Sequence, residues 1–143
     1  MAVYLDTSAA VPLFFNESVS MTALARIARE REIWLSRWTL AEFSSAAAFK
    51  IRTRQTDEAT AGAALALLRV KLSRGDFHLA ELERTDIDEA TRLCGAHACG
   101  LRTPDAVHAA IAMRLRLPLV TCDKGQADGC AYHAIGHEYL ASP

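Results

Sequence analysis

Apolar positions follow two rhythms along this chain. Val3, Tyr4 and Leu5, then Ile33 to Leu35, Phe77 to Leu79 and Leu119 to Thr121 form short β-favouring runs bounded by polar or turn-forming residues, the pattern of buried strands. Between these runs, apolar residues return every three to four positions, which is the helical period. The spacing predicts helices over residues 18–31, 39–52, 57–73, 86–99 and 104–115, and one or two helical turns in residues 9–15. Ser18 is the expected N-cap of the first of these, and Arg74-Gly75-Asp76 ends the third. Thr103-Pro104-Asp105 reads as N-cap, then proline at the first helical position, then an acid in the positive first turn. A short helix interrupted by glycine and an edge strand near residues 133–135 complete the order.

Strands alternating with amphipathic helices imply a parallel sheet covered on both faces. The expected architecture is a three-layer α/β/α sandwich with a short, mainly parallel central sheet. With 143 residues, the chain has the length of a single domain spanning residues 1–143.

In an open sheet of this kind a ligand site lies beyond the carboxyl ends of the strands, and helix N-termini face the same edge. Asp6 and Asp123 follow strands, whereas Glu42 and Asp105 lie near helix starts, so four carboxylates spread over 117 positions are expected on one rim. Gathered there, they would repel one another and raise each other's pKa unless a cation held them. An oxygen-only set without His or Cys suits a hard divalent ion, Mg²⁺ or Mn²⁺. Such an ion supports phosphodiester hydrolysis, with one carboxylate free to orient or deprotonate the water. Each acid also has an ordinary explanation: Asp after a strand is a common turn residue, Asp105 suits a helix start, and Glu42 could face solvent. Only their joint placement points to chemistry.

Thr7, Ser8 and Thr121 neighbour these acids and could bind water or phosphate oxygens, although hydroxyls at strand ends commonly satisfy local backbone groups. His108 falls on nearly the same helical face as Asp105, where packing beside the core competes with a role in the site. His133 and His137 form no metal-binding pattern.

Composition narrows the partners. Sixteen Lys and Arg against 17 Asp and Glu give a net charge of −1, so any nucleic-acid contact must rely on local patches, with Arg52, Arg54, Lys71, Arg74 and Arg102 as candidates. The four cysteines, Cys94, Cys99, Cys122 and Cys130, include no C-x-x-C pair; a zinc site is not expected, and all four read as buried small hydrophobes. No secretory leader or membrane-length apolar run is evident, which leads to the expectation of a cytoplasmic protein with reduced thiols.

Taken in order, VYLDTSAA over residues 3–10, Ala41-Glu42-Phe43, LRTPDAVHAA over 101–110 and LVTCDK over 119–124 resemble the four acidic segments of the PIN-domain ribonucleases, especially the VapC toxins of toxin–antitoxin pairs. None of the four is diagnostic alone; their order and separations carry the resemblance. It implies Mg²⁺- or Mn²⁺-dependent cleavage of RNA, often a transfer or ribosomal RNA, with Asp6, Glu42, Asp105 and Asp123 as the catalytic and metal-binding acids. It also implies a homodimer inhibited by a VapB-like antitoxin. The chain departs from the family pattern at residues 125–130, where Gly125 and Gly129 replace a regular amphipathic sequence. This predicts a short or displaced closing helix, a less firmly placed Asp123, and Asp128 as a possible extra carboxylate.

Two other classes compete. A non-catalytic PIN-like module binding RNA or protein would share the fold. A receiver domain or an aspartyl phosphatase would share the early strand-end Asp, but Thr7-Ser8 after Asp6 lacks the D-x-D of the phosphatase, and no strand-end Lys marks a receiver.

Overall fold

The computed structural model describes residues 1–142. Five short strands form one fully parallel sheet: β1 (Ala2–Leu5), β2 (Glu32–Ser36), β3 (His78–Ala80), β4 (Leu119–Thr121) and β5 (His137–Tyr139), in the spatial order β3-β2-β1-β4-β5. The chain builds outward from β1 to β2 and β3 on one side, then returns to place β4 and β5 on the other. β1 and β4 are therefore central neighbours, with Tyr4 opposite Leu119 and Leu5 opposite Val120. A crevice beyond the carboxyl ends of the strands is expected where the order reverses.

The period of two along β1 assigns its side chains to opposite faces. Val3 and Leu5 join Leu35, Phe43, Leu68 and Val120 in one core, while Tyr4 joins Leu93, Ile111 and Leu119 in another. The first core is covered by α1 (Thr7–Ala10), α2 (Ser20–Ile27), α3 (Arg37–Arg52) and α4 (Glu58–Ser73). The second is covered by α5 (Arg84–Cys94), α6 (Thr103–Leu115) and α7 (Lys124–Tyr132). The three-layer expectation is met. Phe43 is fully enclosed, and burial of a side chain of this size contributes about 1.5–3 kcal/mol.

Several element ends differ from the expectation for identifiable reasons. α2 begins at Ser20 rather than Ser18; the Ser20 hydroxyl donates to the Phe15 carbonyl and accepts from the Glu17 amide, which fixes the preceding turn. α5 runs over Arg84–Cys94 because Glu83 and Asp86 cap its start reciprocally, while residues 96–99, apolar enough to suggest more helix, form a separate turn closed by the Cys99 amide on the Ala96 carbonyl. Thr103 is the first residue of α6, with Arg102 in the capping position. The last strand lies at His137–Tyr139 instead of 133–135, since Ala134 first turns through a positive φ of 55°.

The closing helix is short, as expected, but its glycines do not break it. α7 is a regular nine-residue helix capped by Asp123, whose carboxylate accepts from the Gln126 amide at 3.0 Å. Gly129 has a packing role: a Cβ there would stand 2.3 Å from Leu101 Cδ1, so the missing side chain lets α7 close on the loop before α6.

Candidate active site

At the carboxyl edge of the central strands lies a cleft of about 740 Å³ whose lining includes Asp6, Glu42, Asp105 and Asp123. All four acids expected on the rim share it. Thr7, Ser8 and His108 line it as well.

Asp6 follows β1 directly and is buried. Its Oδ1 accepts from Ser8 Oγ at 2.7 Å and from the Ala9 amide at 2.9 Å, and its Oδ2 accepts from Thr121 Oγ1 at 2.5 Å. Ser8 Oγ also accepts from the Cys122 amide, and Thr121 Oγ1 from the Asp123 amide, so these hydroxyls stitch the ends of β1 and β4 together while holding the carboxylate. The local backbone role and the role beside the acid are thus filled by the same groups. Burial pushes the Asp6 carboxyl above its ordinary value, against the opposing effects of His108 and its three donors.

Glu42 projects from the second turn of α3. Its Oε2 accepts from Thr7 Oγ1 at 2.5 Å and from His108 Nε2 at 2.6 Å. Burial alone would raise its carboxyl, but the His108 bond and charge and the Thr7 bond outweigh it, leaving the group below the usual value. His108, reached from α6, contacts Tyr4 OH through Nδ1 at 2.7 Å. Its competing readings therefore merge: it is packed beside the core and bonded to a site acid.

Asp105, in the first turn of α6, is raised chiefly by burial and further by the negative charge of Asp123, with Arg102 and His108 opposing. Arg102 spans this pair: Nε lies 3.3 Å from Asp105 and a terminal nitrogen 3.6 Å from Asp123. Behind them the buried Gln126 donates its backbone N–H to Asp123 Oδ1 and its side-chain Nε2 to the Asp105 carbonyl at 2.9 Å, tying the starts of α6 and α7 together. Asp6 and Asp123 cap helices and Asp105 sits in a first turn, where the helix dipole favours negative charge.

The chemistry of this donor set fits a hard divalent cation. Only oxygens face the shared space from the four acids, and two neighbouring carboxylates already draw in a guanidinium. Among the described residues, no three Asp, Glu, His or Cys side chains close on one point as a finished cage.

Other expected participants lie elsewhere. Asp128 pairs with Lys124 at 2.8 Å on the outside of α7, away from the cleft, so it is not a substitute acid. Of the basic residues, Arg52 lines the cleft and Arg102 touches its acids, whereas Lys71 pairs with Asp76 at its own helix end. Only Cys130 among the cysteines is buried, the other three being half-buried; all four are free thiols. Cys122 lines the cleft, but burial and the nearby Asp6 push its thiol up to about 12, so it forms a neutral wall and not a nucleophile. Sequence reasoning passed over Tyr4 and Gln126. A tyrosine on a buried strand, whose hydroxyl must find a partner, was the available signal for the first; Gln126 gave none.

The PIN domain family model matches residues 3–130. Among solved structures, the fold is similar to that of VapC20 from Mycobacterium tuberculosis, a sarcin–ricin loop cleaving toxin, with a TM-score of 0.67, 17% identity, and 87% of this chain and 92% of that chain covered. It is similar to VapBC2 from Rickettsia felis, solved with a DNA fragment from its promoter, with a TM-score of 0.68, 17% identity and coverage of 97% and 98%. PAE2754 from Pyrobaculum aerophilum gives 0.65 at 25% identity, with 89% and 79% covered. No curated protein matches the chain in sequence.

Proposed function

The chain belongs to the PIN domain family, and on that footing we propose that it is a metal-dependent endoribonuclease acting as the toxin of a toxin–antitoxin pair. The observation that carries the reading is the convergence of Asp6, Glu42, Asp105 and Asp123 on one cleft at the reversal point of the sheet. Asp6, Asp105 and Asp123, with Glu42, would hold Mg²⁺ or Mn²⁺. Such an ion supplies an acidified water and polarises the phosphodiester. Thr121 and Ser8 fix the Asp6 carboxylate, and Thr7 and His108 fix that of Glu42, so the acids need little reorganisation when substrate arrives. Arg52 on the cleft wall gives a phosphate backbone a local cation despite the net negative charge of the whole chain.

The sarcin–ricin loop in the name of VapC20 supports a structured RNA as the substrate class, with transfer or ribosomal RNA as our expectation, and the VapBC2 assembly supports a VapB-like antitoxin as the partner. A homodimer working in the cytoplasm completes the reading; free thiols agree with that compartment, and no described helix is long and apolar enough to cross a membrane. The test is cleavage of transfer and ribosomal RNA with Mg²⁺ or Mn²⁺, lost in excess EDTA and in Asp6→Asn or Asp105→Asn. Cleavage that persists in EDTA, or RNA binding without turnover, overturns the catalytic reading. Toxicity on induced expression that a co-expressed neighbouring frame does not relieve overturns the toxin assignment.

A further inference from the structure

A buried polar network reaches beyond the acids. It runs from the N-cap of α3 through the sheet and α6, then returns to Glu42 on α3. Ser36 and Thr39 form the cap: Ser36 Oγ accepts from the Thr39 amide and Thr39 Oγ1 from the Ser36 amide, with the two hydroxyls 3.0 Å apart. Ser36 Oγ lies 2.9 Å from Tyr4 OH, Tyr4 OH lies 2.7 Å from His108 Nδ1, and His108 Nε2 lies 2.6 Å from Glu42 Oε2. Tyr4 and Ser36 are fully buried and His108 is 2% exposed. We propose that Tyr4 and His108 are positioning residues for Glu42, forming a hydrogen-bonded strut whose two ends both reach α3 and which fixes the imidazole ring and thereby the Glu42 carboxylate in the cleft.

An ionised carboxylate only accepts, so Nε2 carries a proton toward Glu42. The other ring nitrogen, Nδ1, is held by the Tyr4 hydroxyl at 2.7 Å, and that hydroxyl is held in turn by Ser36 Oγ at 2.9 Å. A phenol can both donate and accept, so the ring is gripped at both nitrogens. At the far end both bonds to Glu42, from Thr7 and from His108, land on Oε2, leaving Oε1 without a hydrogen bond of that kind. The Trp38 indole lies near the same carboxylate and also lowers its pKa. Glu42 is therefore gripped at Oε2 by side chains from α1 and α6, two elements that reach α3 only in the folded chain.

The idea that Glu42 serves a metal-dependent nuclease rests on the proposed function; the strut does not. Tyr4→Phe keeps the ring and removes the hydroxyl. In long-range ¹⁵N–¹H spectra of the metal-free full chain it should shift the His108 Nδ1 resonance, and an unchanged His108 spectrum in a folded variant overturns the strut whether or not the protein cleaves RNA. It should also weaken Mn²⁺ binding in calorimetry and lower kcat for RNA, each by about tenfold or more, with KM little changed. His108→Gln, which can still donate to Glu42, should retain more activity and Mn²⁺ affinity than His108→Ala. If Tyr4→Phe folds with unchanged Mn²⁺ affinity, the positioning role is wrong. If wild type neither binds Mn²⁺ nor cleaves RNA while Tyr4→Phe shifts the His108 resonance, the nuclease reading fails and the strut stands.

Discussion

The two halves of the cleft hold their acids by opposite means. On one side, Asp6 and Glu42 are fixed by neutral donors and by His108, deep against the sheet. On the other, Asp105 and Asp123 sit at helix starts and share Arg102, whose side chain is 72% exposed. Desolvated hydroxyls with their own partners cannot leave without orphaning buried groups, whereas a solvated guanidinium can swing away at small cost. The first half is therefore preorganised and the second adjustable. Rigid acids define where charge must sit, and loosely paired ones can adapt to an incoming cation and substrate.

The largest effect should come from the rigid half. Asp6→Asn should cut RNA cleavage by more than about 10²-fold, beyond the usual cost of losing a ligand's supporting partner. It should leave the melting temperature of the metal-free chain level or higher, because a buried charge is removed while a polar group stays. A drop in both activity and stability would mean that Asp6 is a structural cap only.

Acidity separates metal-free from metal-bound behaviour. Burial raises Asp6 and Asp105 in the fold, so their contribution to stability is greatest when they are protonated and falls as pH rises from the unfolded carboxylate value through the folded one. A cation binds only the ionised forms and releases those protons. Mn²⁺ should accordingly raise the melting temperature more at about pH 7.5 than at about pH 5, and its affinity should increase by up to about tenfold per pH unit for each proton released. Scanning calorimetry with and without Mn²⁺ at both pH values checks this; a shift that shrinks with rising pH contradicts it.

Gly129→Ala probes the support of the adjustable half. The new methyl group meets the Leu101 side chain, at a cost of about 1–3 kcal/mol for overpacking, partly offset by about 1 kcal/mol of helix propensity. The expected net is a loss of about 1 kcal/mol in denaturant unfolding. The smallest effect belongs to Arg102→Ala. Exposed pairs are worth about 0.2–1 kcal/mol, so removing the competing cation should tighten Mn²⁺ binding by about two- to fivefold, most clearly at low salt. Weaker binding would show that the guanidinium organises the two acids instead of competing for them.

Much of this was legible in the sequence because periodicity and helix-start chemistry are local. The strands β1 to β4, the proline after Thr103 and the acid at 105 announced themselves, and β–α alternation carried the four acids to one edge. What stayed hidden depends on atoms far apart in the chain. Tyr4 meets His108 across 104 positions, so the histidine's role beside Glu42 had no local mark. The glycines at 125 and 129 suggested a short or displaced closing helix, since propensity counts them as losses; the helix is short but regular, and the close approach of Leu101 gives Gly129 a packing reason. His108 illustrates why weighing one residue at a time fails: core packing and site chemistry are met by the two nitrogens of a single ring.

Because β1 pairs with β4, the carboxylate of Asp6 waits for a hydroxyl 115 residues downstream. During synthesis Asp6 leaves the ribosome well before Thr121, and the central pairing cannot form until the 115 positions between them are out. Such distant pairing is slow to close. A chain lacking β4 therefore carries Asp6 and Glu42 without the strand that completes the cleft, and the four acids meet only once the whole span from β1 to α7 is in place.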